Sequence, residues 1–133
     1  MRVGVLISGG GSNLQALMKN AVAVCDVDPT RAQTAKARVE KANGRPCAVF
    51  GDYRKMLEDK SIDAVLISTP DHWPTLPALH ACEAGKDVYC EKPCSHNIEE
   101  GRRMIEAARH HKRVVGCGTQ RRSGADYMDA RLH

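Results

Sequence analysis

Short apolar runs alternate with helix-like stretches along the whole chain, and this rhythm constrains the fold more than any other feature. The runs are RVGVLI (2–7), AVAVCDV (21–27), PCAVF (46–50), DAVLIST (63–69), DVYCE (87–91) and RVVGCG (113–118). They are continuously apolar rather than alternating, the pattern of strands covered on both faces, hence of a parallel sheet with helical crossovers. The intervening stretches carry helix punctuation. In 28–44, Asp28 stands at the N-cap, Pro29 at the first helical position and Gly44 at the stop. A short helix is expected over 52–59. Another over 73–85 has its prolines in the first turns and Gly85 closing it. The stretch 97–111 is amphipathic, with Ile98, Met104, Ile105 and Ala108 predicted along one face. Residues 8–19 hold a glycine loop and a short helix, and the tail from Gln120 reads as the beginning of a seventh element.

Six strands in this order predict an α/β protein: a Rossmann-type doubly wound parallel sheet, three layers α/β/α, strand order 3-2-1-4-5-6, in one domain over 1–133. A chain of 133 residues can bury one core, and its 42% hydrophobic and 27% charged residues suit a globular domain. The net charge of +4 is spread among acidic residues, and aromatics make up only 4%, so no nucleic-acid partner is expected. No run approaches membrane-spanning length and the N-terminus lacks a signal pattern, so the expectation is a cytoplasmic protein. The six cysteines lie mostly in or beside apolar runs with no CxxC pair. They are expected to be reduced, as small core residues, and no metal site is expected.

In a doubly wound sheet, ligands sit beyond the carboxyl ends of the strands, where the strand order reverses. Asp26 ends the second run, where a carboxylate can accept both ribose hydroxyls of an adenosine. It would repel a 2′-phosphate, favouring NAD over NADP; its alternative role is to cap a turn. Lys92 follows the fifth run, between Glu91 and Pro93. Desolvated, it could exchange a proton with a substrate hydroxyl or carbonyl; by spacing alone it is an ordinary surface lysine. Asp71 and His72 follow the fourth run and could touch the cofactor ribose, or simply form fixed hydrogen bonds.

From about residue 21 to 123 the chain resembles the N-terminal domain of the glucose–fructose oxidoreductase/inositol dehydrogenase (Gfo/Idh/MocA) family. The motifs that carry this are VAVCDVDPTRA, DYRKMLEDKSIDAVLISTPDHW, ALHACEAGKDVYCEKP and VVGCGTQRRS. The resemblance implies that Lys92 is the catalytic lysine of the Glu-Lys-Pro motif, with Glu91 beside the cofactor, and that Asp26 is the ribose carboxylate. Ser68, Thr69, Pro70 and Asp71 match the loop lining the nicotinamide half, and Thr119 and Gln120 the loop after the sixth strand. The family commonly has a histidine where this chain has Pro74. The implied activity is hydride transfer between NAD and a sugar or polyol. The family's C-terminal substrate domain is absent from these 133 residues, so the chain is expected to be inactive alone. The face meant for that domain should expose apolar surface and favour a homo-oligomer.

The opening VLISGGGSNLQALM departs from this family. The glycines of its GxGxxG pattern fall on Ile7, Gly9 and Ser12, and only the middle one is kept. Glycines at Ile7 and Ser12 are therefore expected to strengthen NAD binding. Residues 1–20 instead resemble the start of phosphoribosylglycinamide formyltransferase, which implies that Gly11, Ser12 and Asn13 hold a ribose phosphate. With Gly9 and Gly10 they offer free backbone N–H groups at a helix N-terminus, suited to a phosphate or a pyrophosphate. Ser12 and Asp26 lie fourteen residues apart, against about 20 in a typical dinucleotide fold. The chain thus reads as composite. A non-catalytic nucleotide- or phosphate-binding domain is the alternative function.

Overall fold

The computed structural model describes residues 1–7 and 18–119; the glycine loop and the tail from Gln120 lie outside them. Six parallel strands form one sheet: β1 (Val3–Ile7), β2 (Ala21–Cys25), β3 (Ala48–Phe50), β4 (Ala64–Ser68), β5 (Asp87–Glu91) and β6 (Val115–Gly118). Their order is β3-β2-β1-β4-β5-β6, as the rhythm of the sequence predicts. A 3₁₀ turn (Met18–Asn20) leads into β2, and four helices cross between later strands: α1 (Pro29–Asn43), α2 (Tyr53–Leu57), α3 (Thr75–Glu83) and α4 (Ile98–His110).

Helix α1 begins and ends where its sequence punctuation places it. The Asp28 carboxylate accepts from the backbone N–H groups of Thr30 and Arg31, two of the donors a helix start leaves unpaired. Gly44 ends the helix with φ 68°, a conformation that a Cβ disfavours. Asp52 and Asn97 cap α2 and α4 in the same manner.

The sheet divides the core by strand alternation. Val3, Val5 and Ile7 of β1 join Val24, Leu66, Ala35 and Val39 on the α1 face. Leu6, Cys25, Val65, Ile67 and Val88 meet Met56, Leu57, Ala78, Ala81 and Met104 on the face covered by α2, α3 and α4. Each buried Val, Leu or Ile contributes roughly 1.5–3 kcal/mol. Gly4 admits the close approach of Met56, whose Sδ would lie 3.0 Å from a Cβ at that position.

Helix α4 departs from its predicted face. Met104 is its buried residue and Ala107 packs beside it, whereas Ile98 is 86% and Ile105 53% exposed. At 100° per residue, positions 100, 104, 107 and 111 point together, and Ile98 and Ile105 project about 130–150° away, toward the opposite face. Apolar spacing showed the amphipathicity but not which edge of the stripe meets α3. No helix among the described residues is long and apolar enough to cross a membrane.

Candidate functional site

Strand register aligns the predicted site residues along one edge of the sheet. Leu6 pairs with Cys25, Ile7 with Ser68, Ile67 with Cys90 and Glu91 with Gly118. The next step along each ladder sets Asp26, Ile7, Ser68, Glu91 and Gly118 in one row, with Thr69, Lys92 and Thr119 one residue beyond. The order reverses between β1 and β4, inside this row. Asp26 and Lys92 stand three strand spacings apart, about 14 Å, a span suited to an extended ligand.

Asp26 is 5% exposed. Its backbone N–H donates to the Phe50 carbonyl at 3.2 Å, which fixes the chain as it leaves β2. Its Oδ1 accepts from the Asp28 N–H at 2.9 Å, so the turn-capping role is real. Its Oδ2 is also buried and has no hydrogen-bond partner among the described residues. Buried acceptors are nearly always paired, so this oxygen suits a ligand hydroxyl. The Thr69 Oγ1 is buried without a partner in the same way, one residue past the row.

The remaining predicted residues are more open. Ser68 and Glu91 are half-buried; Pro70, Asp71, His72, Lys92 and Thr119 are exposed. The desolvation that proton exchange by Lys92 requires is therefore not supplied by the described residues. The peptide bond between Lys92 and Pro93 is cis. Pro74 is buried at the entry to α3, where its carbonyl accepts from the Ala78 N–H at 3.1 Å. Gly9, Gly10, Gly11, Ser12, Asn13 and Gln120 lie outside the described residues.

Ile7 behaves otherwise than its alignment with a turn glycine implies. It is the last residue of β1, paired with Ser68 and 9% exposed in the core. A strand residue needs no left-handed backbone, so the turn has not begun at this position.

Two further features beside the row lie outside the predicted site residues. Glu100 fastens the loop between β5 and α4. Its Oε2 accepts from the His96 N–H at 2.8 Å and from the Thr75 hydroxyl at 3.1 Å, joining this loop to the start of α3. These bonds hold its carboxyl below the usual carboxylate range. Asn97-x-x-Glu100 has the spacing of a capping box, the signal that could have found it, although the carboxylate reaches the His96 N–H rather than that of the cap residue. In addition, Cys94 and Cys117 form a disulfide, correcting the expectation of six reduced cysteines. Their separation of 23 residues conceals that β5 and β6 are neighbours. The other four, Cys25, Cys47, Cys82 and Cys90, are free and buried as expected.

The sequence pattern of the Gfo/Idh/MocA oxidoreductase family, NAD-binding Rossmann fold, matches residues 6–119. The chain belongs to this family. The inositol 2-dehydrogenase of Salmonella typhimurium is 34% identical over 110 residues, covering 80% of this chain and 31% of the relative. The crystal structure of a probable dehydrogenase from Thermotoga maritima superposes with a TM-score of 0.83 at 25% identity, covering 99% of this chain and 40% of that one. The scyllo-inositol dehydrogenase of Lactobacillus casei, solved with bound NAD(H) and scyllo-inositol, gives 0.81 at 25% identity, covering 98% and 39%. The chain thus spans well under half the length of these proteins.

Proposed function

We propose that this chain is the nucleotide-binding part of an oxidoreductase that transfers hydride between NAD and a sugar or polyol, with the substrate wall supplied by a further domain. The observation that carries this is the Asp26 carboxylate, buried at the end of β2 with one oxygen unpaired among the described residues. A ribose hydroxyl donates to such an oxygen, and the negative charge opposes a 2′-phosphate. Family membership and relatives that act on inositols support the same reading.

In this reading Gly9, Gly10, Gly11, Ser12 and Asn13 present donors to the pyrophosphate. Ser68, Thr69, Pro70 and Asp71 line the nicotinamide half, His72 reaches the cofactor ribose, and Glu91, Thr119 and Gln120 lie beside the cofactor. Bound nicotinamide supplies the hydride acceptor or donor. Lys92 exchanges the proton on the substrate oxygen, and closure by a second domain would provide the desolvation it needs here.

Calorimetric titration with NAD and NADP tests the cofactor assignment. NAD should bind more tightly; tighter NADP, or a ribose phosphate preferred to both, overturns it. In a protein extended to the length of its relatives, NADH absorbance with a panel of polyols tests the chemistry. Lys92→Ala should lower turnover by about 10²- to 10⁴-fold, and turnover that survives the change places the proton step elsewhere.

A further inference from the structure

We propose that Cys94 and Cys117 form a thiol–disulfide exchange site that reacts with small-molecule disulfides and, when oxidised, latches the Lys92 loop to β6. Cys94 lies two residues beyond Lys92, in the turn between β5 and α4. Cys117 is on β6, in register with Cys90 and two residues before Thr119. Their sulfurs are bonded, and the Cα atoms are 6.2 Å apart, within the span a disulfide bridges. The bond therefore crosslinks the loop that leaves β5 at the site edge to β6 itself.

Access makes the pair selective. Cys117 is exposed and Cys94 half-buried, while every free cysteine is buried. Burial pushes the Cys25, Cys47 and Cys90 thiols up to about 11 and raises that of Cys82 as well, which suppresses the reactive thiolate. Glu100 holds His96 and Asn97 at the far end of the loop, and at the near end the Cys90 thiol donates only a weak, long bond to the Cys94 carbonyl at 4.0 Å. Near Lys92 the disulfide is the strongest tie among the described residues.

The chemistry balances with a small-molecule disulfide such as oxidised glutathione. One cysteine thiolate attacks it, forming a mixed disulfide and expelling one small thiolate. The second cysteine thiolate then attacks the protein sulfur of that mixed disulfide and expels the other. The protein gives up two electrons, and its two thiol protons pass to the two small thiols released.

The regulatory half of this inference rests on the proposed NAD site, so the test reads the latch and the cofactor separately. The chain is equilibrated in glutathione buffers from reducing to oxidising, alkylated, and mapped by mass spectrometry. Expected is one reversible link, Cys94 to Cys117, with the four buried thiols unmodified. Amide hydrogen exchange over residues 94–97 should be roughly tenfold slower in the oxidised form. NAD affinity should differ by about threefold or more between the two forms, and Cys117→Ser should make it insensitive to the buffer. No such link, or a link without the exchange difference, overturns the proposal; equal NAD affinity in both forms overturns the latch. If neither form binds NAD while the link and the exchange difference appear, the nucleotide reading fails and the exchange site stands.

Discussion

Asp26→Asn separates the two roles of the Asp26 carboxylate. Asparagine keeps an oxygen for the Asp28 N–H, the 2.9 Å bond that closes the turn after β2. It replaces the unpaired Oδ2 with an NH₂ group, a donor where a ribose hydroxyl needs an acceptor. A hydrogen bond to a charged group contributes about 1.5–3 kcal/mol, so NAD affinity should fall about 10- to 150-fold. Stability of the free chain should move the other way or stay level, because a neutral amide is less costly to bury than a carboxylate with an unpaired oxygen. The gap between NAD and NADP should narrow, since the charge opposing a 2′-phosphate is gone. Calorimetric titration with both cofactors and urea denaturation read these effects independently. NAD affinity within about twofold of the parent chain would refute the ribose role. A loss of about 2 kcal/mol in stability would show that Oδ2 has a structural partner, so that the carboxylate serves the fold alone.

Two further perturbations probe the scaffold. Ile7→Gly should destabilise the chain by about 3–5 kcal/mol in urea denaturation, because it empties a core site and loosens a strand. Unchanged stability would return Ile7 to the turn, where a glycine would aid NAD binding. Stability should also fall at alkaline pH. The folded thiols of Cys25, Cys47 and Cys90 lie near 11 and their ordinary value is 9. The fold thus favours the neutral thiol, a contribution fully present below pH 9 and lost as pH rises through about 11. The loss should be at most on the order of 3 kcal/mol per thiol, and replacing all three cysteines with alanine should flatten the slope measured by denaturation across that range.

Sequence by itself determined the strand order and the ends of α1. Continuous apolar runs require cover on both faces, and Asp28, Pro29 and Gly44 act within a few residues of where they stand. Local chemistry of this kind survives in a one-dimensional reading. The edge on which Asp26, Ser68, Glu91, Lys92 and Thr119 gather was legible for the same reason, since a parallel sheet places all its strand ends together. Tertiary structure alone decided the rest. Whether Ile7 belongs to strand or turn depends on its pairing with Ser68. Ile98 and Ile105 are left exposed because α4 packs through Met104 and Ala107, whose side of the helix is turned well away from theirs. Lys86 is 3% exposed, its ammonium donating to the Asp59 and Ile62 carbonyls, because the segments that enter β4 and β5 run side by side. Cys94 meets Cys117 only because β6 lies next to β5. Each of these outcomes depends on which distant residue arrives alongside, and spacing along a chain carries no direct record of that.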